Sequence, residues 1–236
     1  MKLKAILFDM DGTLLPMDIE EFTKCYFGEL IKIMIPFGFT KDELKYKLFA
    51  GVNAMMKNDG HQTNKDAFWE VLAQGHDLDL DKIVSVTDAF YTKEFHNAKC
   101  STGENPLAAK AVALAHEKAE KVILATNPLF PMIAQESRLS WIGLKPEQFD
   151  LVTAYETYSF CKPNPQYFLS IFERMDLKPE ECLMIGNDEL EDMHAASSLG
   201  IQCYLVTDCM IPRDGYTWNG PKGTFKDLLS YLEKLQ

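Results

Sequence analysis

The second half of the chain alternates short apolar stretches with amphipathic helical patterns, and this rhythm limits the fold more than any other feature. The strand-like stretches are KVILAT (121–126), LVTA (151–154), CLMI (182–185) and QCYLV (202–206). The helical patterns cover 106–118, 129–140, 164–175, 189–199 and 224–235. Strands that alternate with helices form a parallel sheet covered on both faces. A further apolar stretch at 3–8 is the natural centre of that sheet.

The first half of the chain has a different rhythm. From Asp18 to about Ala98 the apolar residues fall at helical spacing, and no stretch has a convincing strand pattern. We therefore predict an α/β protein with a Rossmann-like parallel sheet core and helices on both faces. The core comprises residues 1–15 and 100–236, and an all-helical domain, 16–99, is inserted after the first strand.

The amino-acid composition excludes some classes of binding partner. The 236 residues include 24 Lys and Arg against 35 Asp and Glu, a formal net charge of −11. Such an acidic chain is a poor candidate for binding nucleic acid or an anionic membrane. Six cysteines without zinc-type spacing suit a reducing compartment, and Asp9 and Asp11 interrupt the first apolar run too early for a signal peptide. We expect a cytoplasmic protein that binds neither nucleic acid nor membrane.

Polar residues follow most of the predicted strands, where ligands bind in open α/β sheets. The first strand leads into a DMDGT sequence, the second ends at Thr-Asn, the third precedes a Lys-Pro pair, and the fourth leads into GNDELED. The candidate residues are Asp9, Asp11, Gly12, Thr13, Thr126, Asn127, Lys162, Asn187, Asp188 and Asp192.

Neighbouring carboxylates at the end of a buried strand repel each other and are costly to desolvate. A hard divalent cation shared by Asp9, Asp11 and Asp188 would remove that repulsion. Mg²⁺ fits best, because it takes oxygen ligands and keeps room for waters and a phosphate oxygen.

Each motif alone also has an ordinary structural interpretation. Asp-Gly after a strand is commonly a turn, and Thr126 before Asn-Pro is a common helix N-cap. Lys162 could be a surface lysine, and the acidic residues near 188–192 could simply favour a helix N-terminus. The joint occurrence favours a functional site, because each of these strand ends supplies a part that the site requires.

The four motifs in this order resemble the haloacid dehalogenase superfamily, and more narrowly its phosphatase branch with an inserted helical cap. The resemblance implies that Asp9 is the nucleophile and Asp11 the general acid/base, whose main-chain carbonyl also binds magnesium. It implies that Thr126 and neighbouring main-chain N–H groups hold the phosphate, while Lys162 offsets negative charge. Gly12 would let the main chain approach the phosphate closely, with Thr13 and Asn127 beside it.

The fourth motif departs from the family's usual Gly-Asp-Ser-x-x-Asp form, because Asn187 follows Gly186. Counting residues back from Gly200, at the end of the predicted helix, favours Asp188 as the metal ligand. Asp192 lies one helical turn further and is expected to face the same way, in a supporting role with Asn187.

The resemblance implies a magnesium-dependent phosphatase that hydrolyses a small phosphorylated metabolite through an aspartyl-phosphate. The alternatives are a phosphomutase of the β-phosphoglucomutase kind and a non-catalytic module that binds phosphate compounds or a protein. Specificity is expected in the cap, with Lys57, Asn58 and His61 as the candidate polar contacts. The motifs do not define the oligomeric state.

Overall fold

A computed structural model describes residues 3–235. The predicted core boundaries at residues 1 and 236 lie outside that range. Six parallel strands form one sheet in the order β3-β2-β1-β4-β5-β6. The strands are β1 (Leu3–Phe8), β2 (Ala119–Leu124), β3 (Leu151–Val152), β4 (Cys182–Gly186), β5 (Gln202–Val206) and β6 (Lys222–Gly223). The predicted α/β class and the internal position of the first strand are therefore confirmed.

The bounds of three predicted strands need correction: β3 ends at Val152 rather than at 154, β4 continues to Gly186 rather than ending at 185, and β2 is shifted. β2 begins and ends two residues before the predicted 121–126, because Ala119 pairs with Leu3 at the start of β1. Thr126 accordingly lies beyond the strand, in the loop that follows it. The short strand β6 was not predicted, because Lys222–Gly223 offers two residues and no apolar pattern.

Nine α-helices occur between Leu3 and Leu235. They are α1 (Ile19–Met34), α2 (Lys41–Met56), α3 (Asn64–Ala73), α4 (Leu80–Tyr91), α5 (Ala108–Lys118), α6 (Met132–Trp141), α7 (Pro165–Met175), α8 (Ala195–Ser197) and α9 (Phe225–Lys234). None of the helices in this range is long and apolar enough to cross a membrane.

The chain from Ile19 to Ser101 contains helices and turns but no strand, and we call it the helical segment. Its two ends meet, because Met17 and Thr102 form an antiparallel bridge and Gly103 N donates to Pro16 O at 2.7 Å. Side chains cap the beginnings of α1 to α4; Thr40, for example, forms a capping box with Glu43 at the start of α2.

Strand β1 separates two apolar layers. Ala5 and Leu7 face a layer that contains Tyr167 and Ile171 of α7. On the other face, Ile6 and Phe8 join a larger core that includes α5 and α9 and continues into the helical segment. This alternation follows from the two-residue period of a strand. The helical segment thus shares a continuous apolar core with one face of the sheet.

Phe95 joins the helical segment to α6. Its side chain is fully buried, and its ring centroid lies 5.2 Å from those of Tyr91 and Trp141 and 5.6 Å from that of Tyr26. The aromatic contacts therefore connect residues of the helical segment with α6, which packs beside the sheet.

We expect Phe95→Ala to lower the free energy of unfolding by about 3–5 kcal/mol, as for other buried aromatic truncations. Tyr46→Ala is the control, because Tyr46 is 75% exposed, and surface changes of this kind stay within about 0.5 kcal/mol. Urea denaturation measures both values. A loss below about 1 kcal/mol for Phe95→Ala would contradict its place in a shared core.

Candidate active site

The ends of β1, β2 and β4 bring the first, second and fourth motifs to one edge of the sheet. Asp9 N donates to Ile185 O at 2.8 Å, which extends the pairing of β1 with β4 by one residue. Ala125 N likewise donates to Phe8 O at 2.7 Å. The main chain just before Thr126 and that at Asp9 are therefore fixed by sheet hydrogen bonds.

Lys162 lies between two carboxylates at the centre of this edge. Its Nζ is 2.8 Å from Asp9 Oδ1 and 2.6 Å from Asp192 Oδ1. All three side chains are buried, and that of Lys162 is only 2% exposed. Such a fully desolvated ion pair needs several partners to be tolerated, so Lys162 is not a surface lysine.

The second oxygen of Asp9 faces Thr13 and Asn187. The Thr13 hydroxyl lies 3.2 Å from Asp9 Oδ2 and 3.1 Å from Asn187 Oδ1. Gly12, with φ of +82°, packs against Asn187 so closely that a Cβ at Gly12 would lie 2.2 Å from Asn187 Nδ2. A glycine is thus required both for the backbone angle and for the approach of Asn187.

Asp192 reaches Lys162 because the chain after β4 forms a π-helical turn, Glu189–His194, rather than the start of the predicted helix 189–199. Met193 N donates to Asp188 O, an i→i+5 bond. The Asp192 carboxylate turns back, and its Oδ2 accepts from the main-chain N–H groups of Asn187 and Asp188 at 3.0 Å.

The carboxylates of Asp188 and Asp192 consequently have different partners, so the predicted common orientation is wrong. Asp188 Oδ2 accepts from Nε and Nη2 of Arg213 at 2.9 and 2.5 Å. Its Oδ1 accepts from the main-chain N–H groups of Leu190 and Glu191, which makes Asp188 the N-cap of the π-helical turn.

Asp11 pairs with an arginine that the motifs do not reveal. Arg138 Nη1 donates to Asp11 Oδ2 at 2.5 Å, and the Arg138 side chain is fully buried. Only three residues of the chain are arginine, and two of them, Arg138 and Arg213, bind carboxylates of this site. An arginine on the apolar face of the helix predicted at 129–140 was the available signal for Arg138.

Hydrogen bonds connect the second motif, Thr126-Asn127, with the third motif at Lys162. Asn127 Oδ1 accepts from Lys162 N at 3.0 Å, and its Nδ2 donates to Glu191 Oε2 at 2.9 Å. The carbonyl of buried Thr126 accepts from the hydroxyls of Thr153 and Tyr167 at 2.6 and 2.8 Å. These bonds hold the loop after β2 against the segment that carries Lys162.

Burial dominates the acid–base properties of the site. It raises the pKa of Asp9 to about 8, because Lys162, which opposes the rise, is shared with Asp192. Burial acts to lower the pKa of Lys162, but Asp192 and then Asp9 raise it well above its usual value. Burial also raises the pKa of Glu191 to about 7. The positive charge beside Asp9 is therefore too small to offset burial and favour its ionised form.

The oxygen atoms of the site could supply some of the ligands of a hard cation. Asp11 Oδ1 is buried without a hydrogen-bond partner, and the Thr13 hydroxyl lies within hydrogen-bond distance of both Asp9 Oδ2 and the amide oxygen of Asn187. Within residues 3–235 no three His, Cys, Asp or Glu side chains are grouped closely enough to hold a metal alone. A Mg²⁺ ion here would need amide, main-chain, water or phosphate oxygens as well, which are ligands that it accepts.

The raised pKa of Asp9 predicts a pH-dependent stability. Between about pH 4 and pH 8 the folded chain holds a proton on Asp9 that the unfolded chain has lost, so stability must fall as the pH rises. We expect the free energy of unfolding of the wild type, with a chelator present, to fall relative to that of Asp9→Asn across this range. The two curves should run parallel above about pH 8. Urea denaturation at several pH values measures the difference; a pH-independent difference would contradict the raised pKa.

Known proteins resemble this chain in sequence and in fold. The model of the haloacid dehalogenase-like hydrolase family matches residues 3–200. The glyceraldehyde 3-phosphate phosphatase of Methanothermobacter thermautotrophicus is 28% identical over 99% of both chains.

Solved structures share the fold. CbbY from Rhodobacter sphaeroides in complex with phosphate has a TM-score of 0.62 and 20% identity, covering 98% of this chain and 99% of its own. The HAD-hydrolase YfnB from Bacillus subtilis bound to magnesium has a TM-score of 0.55 and 18% identity, covering 99% and 100%. The family match spans most of the residues described above, from the strand before Asp9 to the turn that carries Asp192, and the chain therefore belongs to the haloacid dehalogenase-like hydrolases.

Proposed function

We propose that this protein is a magnesium-dependent phosphatase that hydrolyses a small phosphorylated metabolite through an aspartyl-phosphate. The observation that carries the proposal is the buried Asp9–Lys162–Asp192 cluster at the carboxyl edge of the sheet. The glyceraldehyde 3-phosphate phosphatase of Methanothermobacter thermautotrophicus, similar over the whole chain, supports the choice of a phosphate monoester.

Asp9 is the proposed nucleophile. Lys162 fixes one of its oxygens and Thr13 lies against the other, so the carboxylate is held in one orientation. Attack forms a bond between a carboxylate oxygen and phosphorus and breaks the bond from phosphorus to the leaving alcohol. When bound, Mg²⁺ supplies positive charge that favours the ionised carboxylate and offsets the charge of the phosphate.

Asp11 is the proposed general acid and base. It gives a proton to the leaving alcohol, and then takes one from the water that cleaves the aspartyl-phosphate. One oxygen of Asp11 is held by Arg138, while Oδ1 makes no hydrogen bond and is the atom available for proton transfer. Arg138 thus acts as a positioning residue for Asp11. Thr126 and main-chain N–H groups after β2 are the proposed phosphate contacts.

The magnesium ligands proposed are Asp9, the main-chain carbonyl of Asp11 and the side chain of Asn187. The contacts favour Asn187 over Asp188, because the Thr13 hydroxyl connects Asn187 Oδ1 with Asp9, whereas Asp188 is occupied by Arg213. Asp188 and Asp192 then act through their contacts, Asp192 by holding Lys162 and the main chain at Asn187.

The helical segment is the proposed cap. Asn64 of this segment donates to Pro128 O at 3.1 Å, and Met56 Sδ lies 3.9 Å from Asn127 Nδ2, so the segment contacts the loop after β2. The polar residues expected to contact substrate are engaged locally or exposed. Asn58 is buried and bonds to Gln62 and Asn64, while His61 is exposed and paired with Asp59.

Phosphate release from p-nitrophenyl phosphate with Mg²⁺ tests the proposed function. A phosphatase releases phosphate without a second substrate, a phosphomutase depends on a phosphorylated sugar to regenerate the enzyme, and a binding module releases none.

Asp9→Asn should reduce turnover to below a few per cent of wild type, about 2 kcal/mol or more in the barrier. Asp11→Asn should instead accumulate phosphoenzyme, visible by intact mass, because no base activates the water. Retained turnover in Asp9→Asn would overturn the assignment of the nucleophile.

The metal ligands are tested by magnesium titration in a calorimeter. We expect Asn187→Ala to weaken Mg²⁺ binding by about tenfold or more, and Asp188→Asn to change it less. Arg213→Gln is the matched control, because it removes the partner of Asp188 without touching Asn187. Weaker binding in Asp188→Asn than in Asn187→Ala would return the ligand role to Asp188.

A further inference from the structure

The helical segment encloses an apolar cavity of about 270 Å³. Its walls come from α1 to α4, and its floor comes from the loop after β2 and from Tyr155. The side chains that shape it include Phe22, Leu48, Val52, Leu72 and Phe130. No charged residue lines the cavity within the described chain. An engineered apolar cavity of about 150 Å³ binds benzene, so this one has room for a fused pair of rings.

The cavity adjoins the proposed active site at two places. Phe130 lines the cavity, and the guanidinium of Arg138, the partner of Asp11, lies 4.2 Å from the centroid of its ring. Ile19 lines the cavity and also the neighbouring surface depression that contains Asp11, Gly12 and Asn187. One side chain, Phe130, therefore separates the cavity from Arg138, the partner of Asp11, and another, Ile19, separates it from the depression that contains Asp11 and Asn187.

The few polar atoms of the cavity are poor partners for a sugar. The hydroxyls of Tyr26 and Tyr91 are 2.8 Å apart and bond to each other. The indole N–H of buried Trp69 faces the hydroxyl of Tyr155. Burial raises the pKa of Tyr155, so its hydroxyl stays protonated. These few groups cannot pair with the several hydroxyls of a sugar, and each hydroxyl left unpaired costs about 1–3 kcal/mol.

An apolar ligand group gains binding free energy in this cavity, whereas a sugar loses it. Burial of apolar surface contributes about 25 cal/mol per Å², and a cavity walled by aliphatic and aromatic side chains realises that gain without unpaired hydroxyls.

We propose that this cavity receives the alcohol portion of the substrate, and that the substrate is the phosphate monoester of an apolar, ring-sized alcohol or phenol. The proposal rests on the proposed phosphatase function and narrows its substrate class. The phosphate lies at Asp9 and Lys162, and the ester oxygen lies between them and the cavity, on the side of Asp11. Hydrolysis breaks the bond from phosphorus to that oxygen, which leaves with a proton from Asp11.

Turnover of matched esters tests the substrate class. We expect the KM for 2-naphthyl phosphate to be at least about tenfold lower than that for glycerol 3-phosphate. Val52→Phe, which fills the cavity, should raise the KM for 2-naphthyl phosphate by about tenfold or more and leave that for glycerol 3-phosphate unchanged. Asn53→Phe is the control, because Asn53 is exposed on the same helix. Equal KM changes for both esters, or none, would overturn the proposal.

Calorimetric binding of 2-naphthol, which carries no phosphate, separates the cavity from the chemistry. Wild type and Asp9→Asn should bind it alike, and Val52→Phe should bind it at least about tenfold more weakly. If naphthol binds but no ester is hydrolysed, the proposed function fails and with it the substrate assignment. If esters are hydrolysed but naphthol does not bind, the proposed function stands and the cavity proposal is overturned. Binding without a preference for the naphthyl ester also overturns it.

Discussion

The buried contact of Lys162 with Asp9 and Asp192 holds the site together. Removing one partner of a buried ion pair typically costs about 3–5 kcal/mol, so each carboxylate depends on the lysine. The cluster also joins distant parts of the chain, since Asp9 follows β1, Asp192 follows β4 and Lys162 precedes α7. Asp192 extends the connection to the main chain at Asn187. The positions of Asp9 and Asp192 thus depend on one ammonium group.

The site gathers more negatively charged than positively charged side chains, and this imbalance does not favour the folded state. Five carboxylates share three cations: Asp9, Asp11, Asp188, Glu191 and Asp192 against Arg138, Lys162 and Arg213. The remaining negative charge explains why burial prevails over Lys162 at Asp9. Active sites commonly retain such unfavourable charge, because the same groups are needed when cations and substrate arrive. The core beneath, which β1 shares with both apolar layers, supplies the stability that tolerates it.

The helical segment has two roles in this molecule. Through Phe95 and its neighbours it contributes to the core that covers one face of the sheet. Through Asn64 and Met56 it contacts the loop that carries the proposed phosphate site. The apolar cavity is lined by Tyr26 and Tyr91, which contact Phe95, and by Met55, which precedes Met56, so we propose that its occupant is part of the substrate. Charged contacts near residues 57–61 are less suited to that role, because Lys57 and His61 are exposed and Asn58 is engaged within its own turn.

The sequence alone determined the class of fold and the set of motifs. Alternation of apolar strands with helices is a local property, so β1 and β5 were predicted at their observed bounds, and the family was identified from motifs that follow the strands. What it could not determine is which charges meet. Arg138 lies 127 residues from its partner Asp11, and Arg213 lies 25 residues from Asp188; neither belongs to a motif. Asp192, in the π-helical turn, likewise bonds to Lys162, 30 residues away. Local periodicity encodes strands and helices, whereas ion pairs and backbone irregularities are decided by the surroundings that the folded chain creates.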